Sequence, residues 1–182
     1  GFETDSFYET SYFNEVARLH QEIKKIKGVT GILSITDAVN LKNDRENAKL
    51  VPEKIFITPF RSQATLDSSR LLFESLPFYK TLLYSDSANA YLMGVTVNAD
   101  TINSKSRTRL INDITAQLKI FEEKTSSVLH ISGLPYIRTT IGNRIKEEMN
   151  WFLIGSLFLS AITLLLFFRS FSAMLMSLVV VG

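Results

Sequence analysis

The chain has 182 residues, which favours one polar domain plus a membrane element, and its 20 Lys and Arg residues nearly balance 18 Asp and Glu residues, for a net charge of +2. This balance argues against a nucleic-acid-binding protein, which needs a clustered basic surface. The absence of cysteine excludes disulfides, thiol catalysis and cysteine-ligated zinc. The first residues, GFETDSFYET, have neither an initiating Met nor the pattern of a signal peptide, so we interpret the chain as an internal piece of a longer protein.

Apolar residues at helical spacing predict a first helix over residues 7–27. Lys24, Lys25 and Lys27 fall in its last turn, where the helix dipole favours positive charge. Gly28 follows as the expected C-terminal cap.

The middle of the chain predicts two strands and a short helix. The branched segment 29–35 is typical of a strand, and residues 90–98, AYLMGVTVN, predict a strand buried on both faces because they are nearly all apolar. Residues 40–50 are polar and predict a loop. Residues 68–75 predict a short helix that ends before Pro77.

The last part of the polar region predicts a helix, a strand and a further helix. Residues 104–124 carry one apolar face, and residues 127–132, SVLHIS, are typical of a strand. Pro135 can open the next helix, because proline is tolerated in the first turn. Ile141 and Ile145 belong to an apolar stripe that recurs every four residues on this helix.

The order of these elements is helix, strand, insertion, strand, helix, strand. One more strand before Gly1 would complete the ferredoxin-like β-α-β-β-α-β unit, an α+β fold. Three strands alone would leave an open sheet edge, so we expect the first strand to lie upstream.

Residues 151–168 contain no charged side chain and predict a transmembrane helix. At about 1.5 Å rise per residue, the helix is about 27 Å long, close to the hydrocarbon thickness. Trp151 suits the headgroup level. Residues 171–182 read as the start of a further, truncated transmembrane helix, and Arg169 in the intervening turn favours a cytoplasmic location for that turn. The predicted span has no Asp, Glu, His or Lys and by itself cannot carry protons.

No catalytic, cofactor or metal site is predicted. His20 and His130 lie far apart in sequence without metal-ligand spacing, and we interpret them as ordinary helix and strand residues. The sequence has no nucleophile-elbow, phosphate-loop or dinucleotide-binding motif. We expect most of the aromatic residues between residues 56 and 79 to lie in the core or to face a partner. These residues are Phe56, Phe60, Phe73, Phe78 and Tyr79.

Three stretches together resemble the RND superfamily of transporters, in its MMPL-like branch. GVTGILSITDAVNL is similar to a glycine-valine-x-x-valine-x-serine segment after the first porter helix, with Ile32 in place of the second valine. LLYSDSANAYLMGVTVN resembles the paired strand region that follows. The C-terminal third resembles the start of the second transmembrane helix, with Gly133 and Pro135 in a G-x-P turn and Phe168-Arg169-Ser170 in a phenylalanine-arginine-serine turn.

The resemblance implies a proton-driven exporter of lipids or other hydrophobic molecules in the bacterial inner membrane. It assigns residues 1–133 to an extracytoplasmic porter domain, 134–150 to a connecting helix, 151–168 to a transmembrane helix and 171–182 to the start of another. The implied partners are the lipid bilayer, the remaining segments of a multi-pass transporter and a hydrophobic substrate. Assembly into a homo-oligomer is compatible with the resemblance. No cofactor is implied, and the proton-relay acids would lie beyond Gly182.

The residues that we expect to serve structure or coupling are Gly133, Pro135, Ile141, Ile145, Trp151 and Arg169. A membrane-anchored extracytoplasmic sensor or partner-binding domain without transport activity has the same layout and remains the alternative. A membrane-bound enzyme is a weaker hypothesis, because the sequence contains no recognisable catalytic set.

Overall fold

A computed structural model describes residues 1–44, 49–85, 87–102 and 106–168. The fold is α+β, as predicted, with small antiparallel sheets and one long C-terminal helix. Two compact units divide the chain; the first is Gly1–Tyr136 and the second begins at Ile137. The strands described below and the aromatic core all belong to the first unit.

The helices are α1 (Thr10–Lys24), α2 (Gln63–Glu74), α3 (Ala99–Ile102), α4 (Ser106–Thr125) and α5 (Leu134–Phe168), with short 3-10 turns at Ile35–Asp37 and Pro77–Tyr79. The strands are β1 (Phe2–Glu3), β2 (Val29–Leu33), β3 (Val39–Asp44), β4 (Lys49–Lys54), β5 (Tyr84–Ser85), β6 (Ala90–Tyr91) and β7 (Gly94–Val97). Among the described residues, β1, β6 and β5 form one sheet, β2 pairs with β7, and β3 pairs with β4, all antiparallel.

Helix α1 forms the centre of the core. Its predicted apolar face is confirmed, since Phe13, Val16, Leu19 and Ile23 are all buried. The helix ends at Lys24 with Lys25 as its cap, so the prediction that Gly28 caps it is wrong. Gly28 instead takes a φ of +104° three residues later, at the turn into β2.

A side chain from α2 completes the N-terminus of α1. The cap residue Glu9 makes no side-chain hydrogen bond to the helix. Gln63 Oε1 instead accepts hydrogen bonds from the backbone N–H of Thr10 at 3.0 Å and from its hydroxyl at 2.8 Å. The first helix therefore depends on a residue from a later helix, because unpaired N–H groups at a helix start need an acceptor.

The loop predicted over residues 40–50 is wrong for residues 40–44 and 49–50, which pair in the hairpin of β3 and β4, and residues 45–48 lie outside the described residues. Six residue pairs define the register of the two strands, from Val39–Lys54 to Asp44–Lys49. The side chains of Lys42 and Glu53 also form an ion pair across the strands. The sequence does not indicate these strands, because every side chain of β4 is exposed. The segment therefore shows no alternation of apolar and polar residues, which is the usual signal of a strand. The hairpin base is held by Tyr79, whose hydroxyl accepts from the N–H of Val39 and donates to its carbonyl.

Two further strand predictions need correction. Residues 90–98 contain two short strands, β6 and β7, and are not buried on both faces, since Leu92 between them is 47% exposed. Residues 127–132 form no strand; Leu129 makes a single bridge to Phe2. A short strand, β1, already precedes α1, whereas the sequence placed the first strand upstream of Gly1.

Helix α4 confirms its predicted apolar face, with Leu110, Ile111 and Phe121 buried, and it packs against α1. Helix α2 begins earlier than predicted, at Gln63, and Pro77 opens a 3-10 turn after it. The predicted aromatic core is confirmed for Phe56, Phe60, Phe73 and Tyr79, whereas Phe78 is 74% exposed.

Candidate functional site

An apolar cleft with a volume of about 250 Å³ lies within the first unit. Helix α4 supplies Ile114 and Leu118 to its lining, and strand β7 supplies Val95 and Val97. These residues reach the cleft because α4 turns one apolar face inward, as its helical periodicity dictates. The walls are therefore branched aliphatic side chains on two regular elements.

Exposure differs along the lining of the cleft. Ile23 from α1 and Leu129 from the segment after α4 are buried, and they form its interior part. Leu92 is 47% exposed and the side chain of His130 is 67% exposed, so the cleft opens to solvent beside them. His130 Nε2 lies 3.5 Å from Glu3 Oε2 at this opening.

Two residues predicted from the sequence, Gly133 and Pro135, line this cleft. Gly133 has a φ of +136°, a conformation that side chains with a β-carbon rarely adopt, so glycine is required by the backbone at this position. Pro135 is the second residue of α5, in the first turn where its missing N–H costs no helical hydrogen bond. The prediction that Pro135 opens the last helix is confirmed to within one residue.

The other predicted residues lie on α5 or beyond it. Ile141, Ile145 and Trp151 are 53%, 56% and 76% exposed, so the structure does not bring them to the cleft. Phe168, the first residue of the predicted phenylalanine-arginine-serine turn, is the last residue of α5, whereas Arg169, Ser170 and the truncated helix predicted over 171–182 lie outside the described residues.

Helix α5 has the length and composition of a membrane-crossing helix. It runs without interruption from Leu134 to Phe168, covering both the predicted connecting helix and the predicted span. An 18-residue stretch within Leu134–Leu166 has a mean hydropathy of 1.9, so by length and composition alone this helix could cross a membrane.

A second cluster, the His20 network, consists of His20, Ser34, Thr36, Asp37 and Lys54. His20 is 1% exposed, and its Nδ1 lies 2.7 Å from the Ser34 hydroxyl and 3.3 Å from that of Thr36. Its Nε2 lies 3.2 Å from Asp37 Oδ2, within ion-pair distance but outside hydrogen-bond geometry. Lys54 Nζ donates to Asp37 Oδ1 at 2.8 Å. The network links α1, the turn after β2 and the end of β4.

The network keeps its histidine neutral and its carboxylate ionised. Burial lowers the pKa of His20 below its usual 6.5, since the charged ring would lose its hydration, and this outweighs the opposing attraction of Asp37. The hydrogen bond from Lys54 lowers the pKa of Asp37 below its usual range. At neutral pH the cluster therefore joins a neutral imidazole to an Asp–Lys ion pair.

Serine, histidine and aspartate are also the residue types of a hydrolytic triad, but this geometry does not present a nucleophile. The Ser34 side chain belongs to a residue that is 3% exposed, and its hydroxyl lies 2.7 Å from that of Thr36. Neither Ser34 nor His20 lines the apolar cleft. Across the described ranges, no group of three or more His, Asp or Glu side chains could hold a metal ion.

Sequence reasoning missed both the cleft and the network. The prediction that His20 is an ordinary histidine at a helix edge is wrong, because the side chain is buried, and its place beside Leu19 and Ile23 on the apolar face is the signal of that burial. The cleft has no local signal, because a cavity depends on how α4, β7 and the segment before α5 pack together. Comparison with known proteins finds no matching family model, no matching curated protein and no matching solved structure.

Proposed function

We propose that this chain is part of a proton-driven RND/MMPL-like exporter of lipids or other hydrophobic molecules. The first unit would be the extracytoplasmic porter domain that handles substrate, and α5 would couple it to the membrane core. The intact protein would lie in the bacterial inner membrane with several further transmembrane helices, which would hold the proton-relay acids.

The pairing of the strand segments supports a ferredoxin-like porter unit. Residue 129 forms a bridge with Phe2, β1 pairs with β6, and the same chain segment continues into β7, which pairs with β2. This links segments 129–130, 1–3, 90–97 and 29–33 in turn, all antiparallel. The two long helices α1 and α4 contact each other, as the two helices of a split β-α-β unit do.

The observation that carries the proposal is the uninterrupted helix α5. Its first turn contains Pro135, which lines the apolar cleft, and the same helix continues through the uncharged segment 151–168. A helix is a stiff element that can transmit movement along its axis. A transporter needs such a connection between a proton-driven motor and a substrate-handling domain.

The test is transport by the intact protein carrying Ile145→Pro. Proline at this interior position removes a backbone hydrogen bond and bends the helix, at a cost of about 3 kcal/mol or more. Ile145→Ala is the matched control, because it keeps the helix and changes only a side chain that is 56% exposed. We expect the proline variant to lose most transport and the alanine variant to keep most of it.

The comparison must be made at matched amounts of folded protein in the membrane, since a misfolded variant would imitate lost coupling. Equal transport by Ile145→Pro and the unchanged protein would show that α5 is no mechanical link. If the intact protein moves no hydrophobic compound under any proton gradient, the anchored sensor or partner-binding domain becomes the better account.

A further inference from the structure

We propose that the apolar cleft between α4 and β7 binds one hydrocarbon chain of an amphiphile, with the polar end at the opening beside His130 and Ser132. The proposal that the cleft binds a hydrocarbon chain rests on the lining and volume of the cleft alone. The proposal that the bound molecule is a transport substrate rests on the proposed function. The shared ligand chemistry is a single alkyl chain, which a free fatty acid, a fatty alcohol or a lysophospholipid could supply.

The lining selects an apolar ligand. No Asp, Glu, Lys or Arg side chain lines the cleft among the described residues. The hydroxyl of Thr115, which does line it, already donates to the carbonyl of Ile111 at 2.8 Å. Apart from Thr115, the polar side chains of the lining are His130, Ser132 and Tyr136, so a fully polar ligand would lose its hydration against the aliphatic walls and gain few hydrogen bonds in return.

The volume of the cleft is large compared with that of cavities known to bind small apolar molecules. Protein interiors are close-packed, with few voids larger than one water molecule. A dry apolar cavity of about 150 Å³ is already enough to bind benzene. The cleft, at about 250 Å³, therefore has room for more than a single ring.

The chemistry of the lining decides between an alkyl chain and a protein segment. Methylene groups lose nothing inside aliphatic walls, because they have no hydrogen bonds to satisfy. An extended peptide would bring backbone N–H and C=O groups into aliphatic walls that offer them little hydrogen bonding.

The exposure gradient sets the direction of the bound chain. Ile23 and Leu129 enclose the buried part, and His130 and Ser132 are exposed at the opening. The methyl end of the chain therefore points toward Ile23, and the polar end stays in water. Gly133 and Pro135 form part of the same lining, so an occupant touches the segment that leads into α5.

The experiment uses the full chain in phospholipid nanodiscs and, as probe, dodecanoic acid with a photoreactive diazirine on its terminal carbon. After illumination, peptide mass spectrometry locates the adducts. We expect adducts at or near Ile23, where the terminal carbon lies, or on the facing parts of α4 and β7, and we expect excess unlabelled dodecanoic acid to remove them. Adducts confined to the part of α5 beyond Tyr136, or labelling that unlabelled acid does not reduce, would overturn the proposal.

Variants that fill the cleft provide the specificity test. Ile114→Phe adds volume inside the cleft, so labelling should fall at least about tenfold, because an aromatic ring occupies the space of the chain. Ile120→Phe is the control, since Ile120 lies on the same helix, is 40% exposed and does not line the cleft. If Ile114→Phe fails to fold, Val97→Phe from the opposite element replaces it. Equal labelling in a folded cleft-filling variant and in the control would refute the site.

Competitors distinguish the possible sources of the chain. Unlabelled dodecanol and a lysophospholipid with the same chain are compared with unlabelled dodecanoic acid as competitors. Competition by all three shows that the cleft recognises the hydrocarbon chain, and competition by only one shows that it also recognises that compound's head group. Failure here and failure of transport are separable. A labelled cleft in a protein without transport refutes the exporter alone, whereas a transporter with an unlabelled cleft refutes the site alone.

Discussion

The buried histidine makes the folded first unit sensitive to acid, and the variant His20→Gln isolates this effect. His20 is 1% exposed and faces Asp37, Lys24 and Lys54. Burial lowers its pKa in the folded state below the usual 6.5, the two lysines act in the same direction, and Asp37 opposes them. The unfolded chain, which has the ordinary pKa, therefore binds a proton that the folded chain rejects.

The sign and size of the effect follow from proton linkage. As far as His20 is concerned, the free energy of unfolding has its full value above pH 6.5. It decreases progressively as the pH falls below that value, because the unfolded chain then binds a proton at His20 that the folded chain does not. One proton taken up on unfolding gives a slope of at most about 1.4 kcal/mol per pH unit. A domain is stable by only about 5–15 kcal/mol, so such a slope is measurable over a single pH unit. Asp37 stays ionised in this window because its pKa is lowered.

The assay is urea unfolding of the full chain in nonionic-detergent micelles at several pH values between about 5 and 7.5. Near-ultraviolet circular dichroism of tyrosine reports on the first unit, because all 6 tyrosines lie within residues 1–136. His20→Gln should unfold at a lower urea concentration at neutral pH but should lose most of the slope below pH 6.5.

The chain supplies its own control in its second histidine. His130 is 67% exposed, so His130→Gln should leave both the midpoint and the slope nearly unchanged. An unaltered slope in His20→Gln, or a slope removed by His130→Gln, would refute this account of acid sensitivity.

Two further predictions concern packing and membrane orientation. Phe121→Ala should lower the free energy of unfolding of the first unit by about 3–5 kcal/mol, because Phe121 is 0% exposed, whereas the exposed neighbour Ile120→Ala should cost under about 1 kcal/mol; equal losses in urea unfolding would contradict the burial. Single cysteines at positions 47 and 170 test the predicted orientation with an impermeant thiol reagent on intact cells. Labelling of Asn47→Cys alone supports an extracytoplasmic polar domain, and labelling of Ser170→Cys alone reverses it.

The long helices could be predicted because their signal is local. In α1 and α4 the apolar residues recur at helical spacing, and Phe13, Val16 and Phe121 are buried as that spacing requires. Helix α5 could be predicted because a long uncharged segment is expected to be helical, since a helix pairs its own backbone N–H and C=O groups. In addition, no proline or turn cluster interrupts the segment that leads into it. The α+β class followed from finding helices and short branched segments in one chain.

Strand predictions succeeded only where the segment also had a partner. Residues 29–33 pair with β7 and were predicted correctly, whereas SVLHIS has the same branched composition and makes only one bridge. The hairpin of β3 and β4 had no apolar alternation, yet six cross-strand pairs form it. Pairing depends on another part of the chain, so composition within a window cannot decide it.

The sequence by itself determined the positions of the long helices α1, α4 and α5 and the uncharged segment 151–168, because these depend on neighbours a few residues apart. Only the tertiary structure decided the cleft and the His20 network. Ser34 reaches His20 because β2 returns the chain beside α1, and the cleft exists because α4 and β7 leave space between aliphatic side chains. Distances between side chains far apart in sequence depend on how the elements pack, and no periodicity in the sequence records them.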